Sequence, residues 1–310
     1  MNTVFVNPTV TDDERRRRLY EGHLYVYAAN EATLALVQVA RELCEEAFAP
    51  WHPVEAQHHM PVERYVEALK DLKPAFIHHP RSKDAIRRIL EAMGCDLDKT
   101  YFDVPRLRTA TSHEYLTSGL GYVFKPHRDT WYSPPMCQLN WWMPVYPIAS
   151  ENAMAFHMHY WDRPIANSSN LFNYQVWNQT GRKEAMQLVK KDTRVQSEAL
   201  EPVELDPQLR VVTEPGGLLI FSAAHLHSTV PNTSGSTRIS IDFRTVHLDE
   251  LAVRGGAPNV DSACTGTTIH DYLRGSDLSH VPDDVTALYA DEAIPVEGLS
   301  PQFRTEGANA

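Results

Sequence analysis

One histidine–aspartate pair in the sequence has the spacing of a metal-binding motif. His127-Arg128-Asp129 places an imidazole and a carboxylate two residues apart, so in an extended chain both side chains point to the same side. The motif alone is weak, because 15 histidines and 19 aspartates in 310 residues produce about one such pair by chance. A second copy, His247-Leu248-Asp249, lacks the downstream pattern described next, and we predict a surface or hinge position for it.

A second histidine and an arginine follow the first motif at a distance. An apolar run from Gly216 to Phe221 predicts a buried strand, and the chain then reaches His227, one hundred residues after His127, before a Pro-Asn turn. Arg238 lies eleven residues beyond His227, in a segment whose side chains alternate between apolar and polar. The apolar face of that segment packs on the core, so we expect Arg238 and Ser240 to face a cavity.

Two histidines and one carboxylate on the same side of a metal form the facial triad of non-haem Fe(II) oxygenases. Such a triad leaves three coordination positions for a bidentate co-substrate and O₂. A buried guanidinium is costly unless an anion joins it. Arg238 therefore predicts a carboxylate partner, and a dicarboxylic keto acid would reach both the arginine and the iron.

Several segments in this order resemble the Fe(II)/2-oxoglutarate-dependent dioxygenases, and specifically their phytanoyl-CoA dioxygenase-like (PhyH) branch. They are Glu21–Tyr27, Lys125–Asp129, Gln138–Met143 with the following Ser150–Asn152, and the G-x-L-x-x-F, H-x-x-x-P-N and R-x-S patterns between Gly216 and Ser240. The sequence departs from the family at Gly216-Gly217, at Ala153 and at Met158–Trp161, positions at strand starts and at the cavity rim. Because of these positions, the departures affect which substrate is expected and do not affect the expected iron ligands.

The resemblance implies a fold and a set of residue roles. The fold is mainly β with flanking helices: a double-stranded β-helix (jelly-roll, cupin-like) core with N-terminal helices packed on one sheet. Iron would be bound by His127, Asp129 and His227, and the family's spacing from Phe221 favours His227 over its neighbour His225. The distal carboxylate of 2-oxoglutarate would pair with Arg238, and the further co-substrate contacts implied are Asn140, Ser240 and Thr229.

The implied reaction is the hydroxylation of an unactivated C–H bond in a small molecule, with release of succinate and CO₂. Desaturation or ring closure at the same iron stays open, whereas the carboxylate of Asp129 disfavours halogenation. A protein of another class, a cupin-like barrel that binds a metal or ligand without turnover, is the alternative. Trp131, Trp142 and His157 are candidates for substrate contacts, although a core role is the simpler interpretation of each.

The elements that position these residues are predicted from local patterns. A single domain spans 1–310, in which 1–100 forms a helical cover with one strand, 101–250 forms the β core with a lid-like insertion at about 163–209, and 251–310 forms a C-terminal extension. Helical spacing predicts a helix over 31–48, a second after Pro61 and a third that Ser82 caps and Gly94 ends. The predicted insertion helix lies near Glu184–Lys191. The predicted strands are Leu24–Tyr27, Val104–Thr111, Gly121–Phe124, Met136–Met143, Ala153–Met158, Val211–Thr213, Leu218–Phe221 and Arg238–Val246.

Composition excludes several partners. The net charge of −11 gives no electrostatic attraction to nucleic acid or to an anionic membrane. Four dispersed cysteines and an N-terminus without an apolar segment indicate a reduced, cytoplasmic setting. The uncharged stretch 130–150 contains four prolines, so we interpret it as protein interior. We expect the run Arg15–Arg18 and also Arg128 to lie at the surface.

Overall fold

The computed structural model describes residues 2–121, 125–185, 194 and 196–290, without the side chains of 180–185. Two short strands and four helices form its N-terminal part. They are β1 (Val4–Val6), α1 (Asp12–Tyr20), β2 (Leu24–Tyr27), α2 (Glu31–Phe48), α3 (Val62–His78) and α4 (Pro80–Ala92). The predicted strand at Leu24–Tyr27 and the predicted helix over 31–48 are confirmed residue for residue.

Local capping explains where these helices begin. Asn30 and Thr33 form a reciprocal capping box at the start of α2, in which each side chain accepts a hydrogen bond from the other's backbone N–H. The prediction that Ser82 caps α4 is wrong. That helix begins three residues earlier, because Pro80 fits the first helical turn and His79 caps it, while the Ser82 hydroxyl donates to the carbonyl of Phe76.

In the rest of the described chain, more residues lie in strands than in α-helices. Its strands are β3 (Thr100–Phe102), β4 (Arg106–Ala110), β5 (Leu139–Pro144), β6 (Met154–Phe156), β7 (Leu209–Val211), β8 (Leu218–Ser222), β9 (His227–Thr229), β10 (Arg238–His247) and β11 (Leu273–Arg274). Its helices are α5 (Tyr174–Ala185), α6 (Leu248–Ala252) and α7 (Asp283–Thr286). Residues 122–124 of one predicted strand and 186–191 of the predicted insertion helix lie outside the described residues.

The strands form two sheets flanked by helices, an arrangement compatible with a cupin-like fold. The larger sheet has the order β1-β2-β8-β5-β10-β3-β11, with β4 also paired to β10, and the smaller has the order β7-β6-β9. Strand β10 is antiparallel to β3, β4 and β5. Its apolar side chains Ile239, Ile241 and Phe243 are fully buried in the core shared with α2, α3 and α4. The opposite face of β10 therefore carries Arg238, Ser240, Asp242 and Arg244.

The prediction that the N-terminal arginine run is solvated is wrong for its first two members. Arg15 is buried, pairs with Asp12 and donates to the carbonyl of Met93 at 2.9 Å. Arg16 is also buried and pairs with Glu250 at 2.9 Å. Because helix α1 presents these two side chains to neighbouring elements, they join distant parts of the chain.

Arg128, expected at the surface, and His247, predicted at a surface or hinge position, are also buried. Arg128 is 1% exposed, pairs with Asp261 at 3.1 Å and donates to the carbonyl of Ala224 at 2.5 Å. His247 caps α6 at the junction with β10, as a hinge position would, and contacts Glu250 at 2.7 Å. In the described residues no helix combines the length and the apolar character that crossing a bilayer requires.

Candidate metal centre

Backbone pairing brings the two distant histidines together. The backbone N–H of His127 donates to the carbonyl of His227 at 3.0 Å, and the reverse bond has the same length. This isolated bridge lies at the first residue of β9, so the smaller sheet positions both imidazoles. Asp129 follows as the first residue of a short 3₁₀ turn over Asp129–Tyr132.

The three side chains converge on one point. One potential ligand atom from each of His127, Asp129 and His227 lies within 4.8 Å of the others, and this is the one such group of three or more in the described residues. Oδ1 of Asp129 is 3.3 Å from Nε2 of His127 and 3.9 Å from Nε2 of His227. The two imidazole rings have centroids 4.4 Å apart with planes tilted by 50°. A metal ion with two nitrogen ligands and one carboxylate ligand fits this arrangement.

Hydrogen bonds on the far side of each ring orient the imidazoles. Nδ1 of His127 lies 2.8 Å from the carbonyl of Lys125, and Nδ1 of His227 lies 3.0 Å from that of His225. A carbonyl only accepts, so both Nδ1 atoms are the protonated donors and both Nε2 atoms keep a lone pair for a metal. Burial, followed by the neighbouring His127, lowers the pKa of His227 to about 4, so its imidazole is neutral at pH 7.

The carboxylate of Asp129 is ionised and held in place. Burial alone would raise its pKa, but the adjacent imidazoles of His127 and His227 and the positive charge of Arg244 keep the pKa of Asp129 well below its usual range. Asn140 donates to Oδ2 of Asp129 at 2.8 Å, which leaves Oδ1 directed at the imidazoles.

A chain of hydrogen bonds continues outward from Asn140. The side-chain amide of Gln138 donates to the side-chain oxygen Oδ1 of Asn140 at 3.0 Å. The hydroxyl of Tyr272 donates to Oε1 of Gln138 at 2.7 Å. Sequence reasoning missed the Gln138–Tyr272 contact. The spacing of Gln138 and Asn140, two residues apart at the start of a strand, is the signal that puts both amides on one face.

His225 lies close to the centre but outside it. The residues alone left His225 and His227 open as ligands, and the structure brings His227 to the other two side chains. The ring of His225 is buried against Trp161, with centroids 4.6 Å apart. The two side chains differ in direction because His225 lies in the turn before β9, whereas His227 is the first residue of that strand.

A cavity of about 260 Å³ opens onto the three side chains. Four of the predicted co-substrate and substrate residues line it: Asn140, Trp142, Thr229 and Arg238. Ser240 lies on the same strand face but is fully buried and does not line the cavity. The lining also includes Arg106, Arg108, Asp242 and Arg244. We did not predict Arg106 or Arg108, although their alternation around Leu107 on β4 is the pattern that places both on one face.

Arg238 has unused hydrogen-bonding capacity at the cavity. Its Nη1 donates to the carbonyl of Asn152 at 3.1 Å, and its guanidinium lies 5.8 Å from the ring centroid of Trp142. Among the described residues, Nε of Arg238 and the hydroxyl of Ser240 have no hydrogen-bond partner although both atoms are buried. Burial lowers the pKa of Arg238 to about 10, with Asp242 opposing and Arg108 reinforcing the shift, so the group is a cation at pH 7. A buried guanidinium with an unpartnered donor is costly, and an anion in the cavity would satisfy it.

Two of the three candidate substrate residues lie away from the cavity. Trp131 is fully buried and donates to Asp261 at 2.7 Å, because the 3₁₀ turn rotates it away from the direction that an extended chain would give. His157 is buried with Nδ1 bonded to the carbonyl of Leu205 and Nε2 to the hydroxyl of Ser228, at 3.0 and 3.1 Å. Neither residue is among the described residues that line the cavity, a placement that fits the core role that the sequence also allowed.

Comparisons with known proteins give distant similarities. No family model matches the chain, and no curated protein matches it. Among solved structures, EvdO2 from Micromonospora carbonacea var. aurantiaca, complexed with 2-oxoglutarate, is 13% identical, with 78% of this chain and 93% of that chain covered and a TM-score of 0.42. The epimerase SnoN, in complex with Fe3+, alpha ketoglutarate and nogalamycin RO, is 15% identical over 76% of this chain and 85% of that chain, with a TM-score of 0.40. The non-heme monooxygenase ThoJ, in its Ni complex, is 11% identical over 87% of both chains, with a TM-score of 0.34. These similarities are too distant to assign a function, so the proposal below depends on the residues of this chain.

Proposed function

We propose that the protein is a non-haem Fe(II)/2-oxoglutarate-dependent oxygenase that hydroxylates a C–H bond of a small molecule. The observation that carries the proposal is the convergence of His127, Asp129 and His227 on one buried point, in a cavity that also holds the cation of Arg238. A metal site built for structure alone has no use for a buried guanidinium with an unused donor beside it.

The donor set fits iron. Two imidazoles and one carboxylate surround this point, and the adjacent cavity has room for exogenous ligands. His127, Asp129 and His227 would hold the ion. Iron(II) with 2-oxoglutarate and O₂ supplies the oxidation of a C–H bond, with succinate and CO₂ as co-products.

The cavity fits a dicarboxylic co-substrate. The distal carboxylate would accept hydrogen bonds from the guanidinium of Arg238, and the unpartnered hydroxyl of Ser240 lies on the same strand face. Thr229, two residues after His227 on β9, also lines the cavity. A charge-assisted pair in this buried setting fixes the orientation of the keto acid.

The chain's own residues hold the site ready. Asn140 and Gln138 fix the Asp129 carboxylate, and the backbone carbonyls behind the two rings fix the imidazoles. Trp142 and Phe221 line the cavity with apolar surface that excludes water from the reacting atoms. We further propose that the two sheets are those of a double-stranded β-helix in a single domain over 1–310, with the segment 163–209 covering the cavity.

Binding of the co-substrate to the metal tests the proposal without knowledge of the primary substrate. Under anaerobic conditions, Fe(II)-loaded protein should develop the visible charge-transfer absorption of a 2-oxoglutarate–iron(II) chelate. On admission of O₂ with ascorbate, succinate should form from 2-oxoglutarate. Absorption without any succinate would identify a binding protein, and neither signal in folded protein would refute the proposal.

The two neighbouring histidines provide a matched pair of variants. His227→Ala should abolish the charge-transfer absorption, because it removes a metal ligand. His225→Ala removes an equally buried imidazole two residues away and should keep the absorption. If folded His225→Ala lost the absorption and folded His227→Ala kept it, His225 would be the metal ligand and the proposed donor set would be wrong. Product analysis by mass spectrometry then separates hydroxylation from desaturation or ring closure.

A further inference from the structure

The cavity is basic although the chain as a whole is acidic. The net charge of the sequence is −11. Among the described residues, the charged side chains that line the cavity, apart from the histidines, are five arginines and two aspartates: Arg106, Arg108, Arg194, Arg238 and Arg244, with Asp129 and Asp242. A local excess of this sign attracts an anion into the cavity.

The arginines from β4 and β10 differ in how their charges are balanced. Arg108 pairs with Asp242 at 2.7 Å. Arg106 and Arg244 instead share the carboxylate of Asp103, with N–O distances of 2.6 and 3.7 Å. Asp103 is buried beneath the cavity, and one of its oxygens also accepts the backbone N–H of Arg244. Two guanidiniums therefore face one carboxylate that is already engaged.

A loaded site would still keep one positive charge on these strands. A divalent metal ion and Asp129 together carry one positive charge, and doubly charged 2-oxoglutarate and Arg238 together carry one negative charge, so these two pairs cancel. The charges of Arg108 and Asp242 also cancel. The cluster of Arg106, Arg244 and Asp103 is left with one net positive charge. Burial lowers the pKa of Arg244, but Asp103 and Asp129 raise it well above its usual range, so Arg244 stays charged. A buried charge of this kind is costly unless an anion joins it.

Another part of the lining is aromatic. Tyr132, Phe172, Tyr174 and Trp177 all line the cavity. Phe172 meets Tyr132 edge to face with ring centroids 5.1 Å apart, and Tyr174 stacks on Trp177 at 6.3 Å. Rings in this arrangement provide a surface for a flat apolar group. The cavity thus combines a cationic wall with an aromatic wall.

We propose that the primary substrate is a small aromatic or flat apolar molecule that carries an oxyanion, and that Arg106 and Arg244 bind this oxyanion. The proposal rests on the proposed function for the identity of this cavity as the reaction site. It adds the substrate class. A carboxylate or a phosphoryl group would satisfy the same arginine pair.

Ligand binding to the metal-free full-length protein tests the substrate class without any turnover. Phenylacetate, phenylacetamide and benzylphosphonate are titrated and followed by ligand-observed NMR. Phenylacetate or benzylphosphonate should bind about tenfold or more tightly than the neutral amide, because only the anions form charge-assisted hydrogen bonds with arginine. The tighter of the two anions identifies the group that the arginine pair prefers.

Three arginine variants locate the bound anion. Arg106→Met should weaken binding of the anion by about tenfold or more, since it removes one of the two cations. Arg238→Met tests whether the anion occupies the co-substrate position instead, and the exposed control Arg88→Met should leave the affinity unchanged. Thermal unfolding shows whether Arg106→Met still folds, and the comparison with the amide needs no variant at all.

Each contrary result has a defined meaning. Equal binding of phenylacetate and its amide, or no binding of any anion, would overturn the proposal. Loss of anion binding in Arg238→Met but not in Arg106→Met would also overturn it, because the anion would then occupy the co-substrate position. A protein that forms succinate from 2-oxoglutarate yet fails these tests would refute only the substrate class, whereas oxyanion binding without succinate formation would refute only the oxygenase.

Discussion

Replacement of Asn140 by alanine should weaken metal binding although Asn140 is not a ligand. The amide donates to Oδ2 of Asp129 at 2.8 Å and so fixes which carboxylate oxygen faces the imidazoles. A hydrogen bond to a charged group contributes about 1.5–3 kcal/mol. Loss of an outer contact of this kind typically costs a metal site roughly 10- to 100-fold in affinity, which is about 1.4–2.7 kcal/mol. The two magnitudes agree, and we expect a loss in that range.

Calorimetric titration with Mn(II), which is redox-stable in air and accepts the same donors, measures the effect. Asn232→Ala is the matched control, because it removes another buried amide, one that donates to the carbonyl of Ala110 at 2.8 Å. Gln138→Met should give a smaller loss than Asn140→Ala, since Gln138 acts one hydrogen bond further out. Unchanged Mn(II) affinity in folded Asn140→Ala would refute the reasoning, as would an equal loss in Asn232→Ala.

Three further predictions concern the co-substrate, the metal and the fold. Arg238→Met should weaken 2-oxoglutarate binding to the Mn(II)-loaded protein by roughly 10- to 100-fold without changing Mn(II) affinity, as calorimetry would show, and equal affinity for the keto acid would contradict the assigned role. Metal at a hundredfold excess over its Kd should stabilise the protein by about 2.7 kcal/mol and raise its melting temperature, and a chelator or His227→Ala should remove that gain. Arg128→Met should destabilise the fold by about 3–5 kcal/mol in urea unfolding, since it leaves Asp261 buried without its cation. Arg17→Met removes an exposed 3.5 Å pair and should change stability by about 0.5 kcal/mol or less.

The sequence predicts the parts of the fold that depend on local patterns. Helix α2 begins and ends where the apolar spacing places it, and the strand at Leu24–Tyr27 has its predicted bounds. The alternation in β10 separates Ile239, Ile241 and Phe243 in the core from the arginines on the other face. These features follow from the spacing of apolar side chains, which repeats about every 3.6 residues in a helix and every two in a strand and can be recognised within one segment.

Other features depend on pairings between distant segments, which period alone does not determine. Arg128 looked exposed because it points opposite to its two neighbours in an extended chain, and its burial depends on Asp261 and on carbonyls of other loops. The side chain of Trp131 points away from the cavity because it lies in a 3₁₀ turn, and the apolar pattern of the sequence does not predict that turn. The contact between Tyr272 and Gln138 joins residues 134 positions apart.

The candidate site divides in the same way. The residue types His127, Asp129, His227 and Arg238 were selected by spacing and by resemblance, and the structure brings the first three together in one cavity with the fourth. The substrate-binding residues were harder to predict, because the excess positive charge of Arg106 and Arg244 is apparent only once both are seen to share the carboxylate of Asp103. A charge imbalance is a property of three-dimensional neighbours.

The reciprocal backbone bridge between His127 and His227 has a consequence for protein engineering. Because main-chain atoms set the separation of these two positions, that separation is independent of which side chains stand there. Substituting cysteine, aspartate or glutamate at position 227 would exchange the donor atom while its attachment point stays fixed. The bridge thus provides a scaffold on which the choice of metal can be altered one ligand at a time.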